Sequence, residues 1–168
     1  MEIDLGESLT DKQKAAILVI LGNLANVDGD FDDSEEAIMN ACNSTLKFDI
    51  SSGRGLELFT AVQNMNFDEL IQIIKPLSRL QHELIIIWAV ELIAADGVFH
   101  ENEINAIGNL CMCLGISPKD FKKIQSNYLK TTKKYSNKKS GCFSTSFIIF
   151  ALIIVLIILI NSFIDNSL

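Results

Sequence analysis

Three apolar runs organise the chain, and two of them end at the dipeptide Asp-Gly. Residues 11–27 (DKQKAAILVILGNLANV) and 78–95 (SRLQHELIIIWAVELIAA) carry hydrophobic side chains around most of a helical circumference, with Gly22 the sole Gly or Pro in either. A helix that is apolar all round must be buried all round. Both runs therefore predict central helices packed against each other. The stretch from Leu84 to Ala95 is interrupted by Glu91 and is too short to cross a bilayer, which takes about 20 apolar residues.

Around this pair the polar and apolar positions alternate with helical periodicity over 33–46, 55–64, 67–75, 101–114 and 118–130. Pro76 stops the third of these. Ser117-Pro118 offers an N-cap followed by proline at the first helical position, and Ser51-Ser52-Gly53-Arg54-Gly55 reads as a loop. No window sustains a period of two. The expected architecture is all-α: a seven-helix bundle built from two pseudo-repeated helix-loop-helix units, plus one transmembrane helix after it.

That further helix is the third run. From Phe147 to Ile160 the sequence FIIFALIIVLIILI has no polar side-chain atom, and its flanks extend it to residues 143–164. This length suits a hydrocarbon core of about 30 Å. The expected organisation is an acidic helical domain over 1–130, a basic juxtamembrane linker over 131–142, the span over 143–164 and a short tail over 165–168.

Charge sharpens this division. The chain has 14 basic and 21 acidic side chains, a net −7, yet residues 1–118 hold six basic against nineteen acidic, a net −13, and residues 119–142 hold eight Lys against one Asp. Lys130, Lys133, Lys134, Lys138 and Lys139 lie close before the span, and beyond it stands only Asp165. By the positive-inside rule the acidic domain faces the cytoplasm, as a single-pass membrane protein. MEIDLGES has neither the basic nor the apolar region of a signal peptide. Four Cys in 168 residues make no disulfide framework. An acidic domain disfavours nucleic acid as a partner and favours a divalent ion or a basic protein. Membrane lipid is the expected partner of the span.

The acidic domain contains an internal repeat. Asp28-Gly29-Asp30-Phe31-Asp32-Asp33-Ser34-Glu35 and Asp96-Gly97-Val98-Phe99-His100-Glu101-Asn102-Glu103 both read D-G-x-F-x-x-[SN]-E, 68 residues apart. The same offset pairs Gln13 with Gln81, Ile17 with Ile85, Leu24 with Leu92 and Leu46 with Leu114. Duplication accounts for this, and two such units should pack about a pseudo-twofold axis.

Two readings of the motif stay open. In the first, Gly29 and Gly97 supply the positive φ of a tight helix end, Asp32 and His100 precede the next helix, and Glu35 and Glu103 at N3 bond back to the N-cap amide. Phe99 and Ile104 would form a hydrophobic staple, which Glu36 denies to the first unit. In the second, Asp28 with Glu35 and Asp96 with Glu103 ligate a divalent cation, Ca²⁺, Mg²⁺ or Mn²⁺, through hard carboxylate oxygens. The loop is no EF-hand, since Asp33 and Met39 replace its sixth-position Gly and twelfth-position Glu.

The paired pattern A-x-x-D-G-x-Φ-x-x-x-E, spanning Ala25 to Glu35 and, with Ala94-Ala95-Asp96-Gly97 the closer match, Ile93 to Glu103, resembles the TerB-like family of tellurite-resistance proteins over about residues 8–130. The resemblance implies a seven-helix bundle, acidic residues that bind metal, and a role in stress-response or phage-defence assemblies at the inner face of the membrane. Similar domains are fused to J-domains, but this chain has no His-Pro-Asp tripeptide, so no co-chaperone activity carries over. Asn26-Val27 also departs from the small residues of the family pattern.

No catalytic or cofactor-binding constellation is expected, and a small-molecule substrate is not. Cys111 and Cys113, two apart on a helix, point to nearly opposite sides and read as small core residues. His82 is expected on the polar side of its helix start, Glu91 at solvent at the bundle's end or, in the alternative, joining a cation site, and Cys142 as a small residue or a palmitoyl acceptor. The leading expectation is a non-enzymatic, membrane-tethered TerB-like adaptor with a cation in its Asp-Gly loops. The alternatives are a metal-free membrane-anchored scaffold for a basic protein, and a membrane-active protein whose apolar helix oligomerises. The span has no small-xxx-small stripe from Phe147 to Ile160, which speaks against tight helix pairing.

Overall fold

Thr10 and Ser78 begin the two central helices in the same way. Each side-chain oxygen accepts from the amide three residues on (Gln13 N–H to Thr10 Oγ1, 3.3 Å; Gln81 N–H to Ser78 Oγ, 3.4 Å), and each Gln Oε1 accepts from the cap amide at 3.0 and 2.8 Å. These reciprocal capping boxes satisfy amides that have no intrahelical partner. The computed structural model describes residues 8–27, 29, 33–95, 100–124 and 126–127.

Within them the helices are α1 (Asp11–Ala25), α2 (Asp33–Leu46), α3 (Gly53–Gln63), α4 (Phe67–Ile74), α5 (Arg79–Ile93) and α6 (Glu101–Cys113), followed by helical residues 118–124, here α7. No strand occurs among the described residues. The all-α expectation holds. The starts of α1 and α5, and of α2 and α6, differ by the repeat offset of 68 residues.

Packing follows the same symmetry. The apolar helices α1 and α5 touch at the centre; α2 lies on both, and α6 lies on both. Exchanging α1 with α5 and α2 with α6 reproduces this set of neighbours. Ile17 and Ile85, Leu24 and Leu92, and Leu46 and Leu114 are buried pairs at equivalent positions in one core. Lys47 and Gly115 follow the last pair, and both take positive φ, 52° and 66°. The Ile116 amide then reaches the Cys111 carbonyl at 2.8 Å, closing a Schellman turn.

Symmetry ends there. Helices α3 and α4 pack mainly on α1, so Val19 and Ile20 are buried whereas their counterparts Ile87 and Trp88 are half-buried.

The loop expected at residues 51–55 is shorter than predicted, because α3 already starts at Gly53. Ser52 caps it, accepting from the Gly55 amide at 3.0 Å, and Asp49 Oδ1 accepts from the Ser51 and Ser52 amides at 3.1 and 3.3 Å. Gly55 is buried against the Asp49 carbonyl, where any Cβ would collide with it. Among the described residues no helix is long and apolar enough to cross a membrane. The expected linker, span and tail over 131–168, with Cys142, lie outside the described residues.

Candidate functional site

The end of α1 is tied by the Asn26 side chain, whose Nδ2 donates to the Gly22 carbonyl at 2.8 Å. Gly29 N–H donates to the Asn26 carbonyl at 3.2 Å, with Gly29 at φ 87°, the left-handed turn expected of the Asp-Gly pair. Asp28, Asp32, Asp96, Gly97 and Phe99 lie outside the described residues, so the structure places one carboxylate of each expected pair.

Those two, Glu35 and Glu103, are the third residues of α2 and α6, and both are buried, at 6% and 3% exposure. Glu103 Oε2 accepts from the His100 amide at 2.9 Å, so the capping role predicted for it is present. At this end the carboxylate also faces the positive pole of the α6 dipole. One position beyond, Ile104 is buried and Glu36 exposed, the difference expected between the units at N4. The carboxylates of Asp33, Glu36 and Glu101 are exposed around the two buried glutamates. A glutamate bonded to its cap retains lone pairs for a cation, but among the described residues no three His, Cys, Asp or Glu side chains converge on one point. The expected partners Asp28 and Asp96 lie outside the described residues.

Three other expectations are corrected. His82 is buried rather than on a polar face; its Nε2 donates to the Ile74 carbonyl at 3.0 Å and caps the C-terminus of α4, which turns back over the start of α5. Its counterpart Lys14 is buried too, with Nζ 3.7 Å from Asp11. Glu91 does not point freely to solvent. It is half-buried, and burial raises its carboxyl above the ordinary range. The third correction is the α3 start at Gly53.

Cys42 is a core residue that no sequence motif marked. Burial, then the neighbouring Glu91, pushes its thiol up to about 12. Cys111 is buried as expected, and desolvation takes it to about 12 against the opposing pull of Arg79. Neither is a thiolate at neutral pH, the form in which cysteine attacks or binds metal. Beside Cys42, the Asn43 Oδ1 is buried without a hydrogen-bond partner among the described residues.

No family model, no curated protein and no solved structure matches the chain. The TerB-like resemblance accordingly stands on the two Asp-Gly motifs and their spacing.

Proposed function

We propose that this chain is a non-enzymatic, membrane-tethered adaptor of TerB-like kind, its helical domain held at a membrane through residues 143–164 and recruiting a basic protein partner in a stress or phage-defence response. The carrying observation is the duplication: two helix starts that bury one glutamate each and leave Asp33, Glu36 and Glu101 exposed. A repeated acidic rim on residues 1–118, of net −13, attracts cationic partners from a distance. The test is binding of a lysine-rich peptide to the full chain in detergent, by calorimetry, at low and high salt. Binding that weakens with salt and is lost in Asp33→Lys with Glu36→Lys and Glu101→Lys supports the adaptor; equal binding by that variant rejects this surface.

A second reading, a divalent cation held by Asp28 with Glu35 and by Asp96 with Glu103, draws on the same repeat. If it holds, Ca²⁺, Mg²⁺ or Mn²⁺ raises the melting temperature of the full chain by mass action, and Asp96→Asn with Glu103→Gln removes both the heat of binding and the shift. Absence of both at millimolar metal reduces the repeated acids to helix caps and leaves the metal-free scaffold.

A further inference from the structure

Helix α7 differs in charge from everything before it. Ser117 caps it, accepting from the Asp120 amide at 3.2 Å and donating to Asp120 Oδ2 at 2.8 Å. Phe121 and Ile124 are buried in the core, whereas Lys119, Lys122 and Lys123 are exposed. At about 100° per residue the three lysines centre nearly opposite the two buried side chains.

Burial of Phe121 and Ile124 fixes the rotation of the helix, and Arg79 braces it. Arg79 Nη2 holds Asp120 Oδ2 at 3.2 Å, and Arg79 Nη1 donates to the Gly115 carbonyl at 3.1 Å. The one acidic side chain among the described residues of α7 is thereby partnered, although 46% of it stays exposed, and the three lysines outnumber it on the outer face. Two large apolar side chains at the same corner are exposed: Leu80, next to Arg79, at 44%, and Met112, three residues before Gly115, at 71%.

We infer that the lysine face of α7 docks the helical domain onto an anionic lipid surface; this rests on the reading that residues 143–164 tether the chain. Roughly 20 residues separate Lys123 from Phe143, enough to bring α7 to the bilayer, and Lys130, Lys133, Lys134, Lys138 and Lys139 in between favour the same surface. The rest of the domain is acidic and repelled by an anionic leaflet, so attraction through one face also sets its orientation. A nucleic acid would need a longer run of cations than α7 offers beside that acidic body.

The full chain, reconstituted into vesicles of phosphatidylcholine alone or with roughly one third phosphatidylserine, is labelled with an amine reagent and read by mass spectrometry, with exposed Lys12 and Lys75 as internal references. Labelling of Lys119, Lys122 and Lys123 should slow at least about fivefold on the anionic vesicles, the effect of one lysine at such a surface. High salt should restore it. Lys122→Glu with Lys123→Glu should free the domain, read as Lys119 labelling at the same rate in both vesicles relative to Lys12 and Lys75. Equal rates for the three lysines in both vesicles, in a chain that has entered the bilayer, overturn the docking and leave the tether standing. A chain that does not enter overturns both. Protection by a DNA duplex and none by lipid charge assigns the face to a nucleic acid instead.

Discussion

Lys47 and Gly115 occupy the same left-handed position after equivalent helices, and only one of them is suited to it. A side chain at positive φ costs about 1–2 kcal/mol that glycine avoids. Lys47→Gly should therefore raise the urea midpoint and Gly115→Lys lower it, each by about 1 kcal/mol in stability after glycine's extra chain entropy is subtracted. Gly55 is constrained differently, by contact rather than by φ: a Cβ there meets the Asp49 carbonyl. Gly55→Ala should lose about 1–3 kcal/mol, the ordinary cost of overpacking, measured by the same unfolding curves. Several residue-scale features are legible in the sequence itself. The Asp-Gly pairs signal a left-handed turn, found at Gly29, and Glu three residues after His100 signals a cap, found at 2.9 Å. The Thr10 and Ser78 capping boxes carry an equally plain signal, S/T-x-x-Q. Lys47 carries none, because its backbone is set by the turn that Leu46 and Phe48 bury on either side.

Helices are predictable where periodicity is long and ends are punctuated. Residues 33–46 match α2 throughout, and Ser117-Pro118 opens α7 as its residues require. Departures gather where tertiary contact decides. His82 and Glu91 look like polar positions on α5, but the α4 turn covers the first, and α2, bringing Cys42 alongside, helps enclose the second. Glu91 also makes stability depend on pH. Its folded pKa is raised, so the folded state holds its proton to higher pH than the unfolded chain does. The stability it lends is complete below the ordinary carboxylate range and declines as pH rises through the raised value. Glu91→Gln should accordingly stabilise the protein at neutral pH and flatten the fall in urea midpoint over the pH window that opens at the ordinary carboxylate value of about 4. A wild-type midpoint that rises across that window while the variant's stays flat would contradict the assignment. Thiols provide a second check on α2 and α6. In a Cys142→Ser background, half-buried Cys113 should react with a thiol reagent at pH 8 well before Cys42 and Cys111, whose thiols titrate near 12.

Duplication sets the arrangement of the whole domain, and its imperfection sets the energetics. Both units contribute one apolar helix to the centre and one amphipathic helix across it, but α3 and α4 shield α1 far more than α5. Ile20→Ala, at a position only 1% exposed, should cost about 2–5 kcal/mol, and Ile87→Ala, on the half-buried side of α5, distinctly less by the same denaturation measurement. The site is less readable than the fold because its chemistry depends on which carboxylates meet across loops, and spacing along a chain carries no such distances. Sequence charge does mark the change of sign at residue 119, but that three lysines face outward together follows only from the burial of Phe121 and Ile124.

The half-buried flank of α5 has an optical consequence. Trp88 lies on it and is the chain's one tryptophan, so the intrinsic fluorescence of the protein comes from a single indole at a partly hydrated boundary. Anything that covers this flank, whether a partner helix or a second copy of the domain, dehydrates that indole and moves its emission to the blue, with no dye attached.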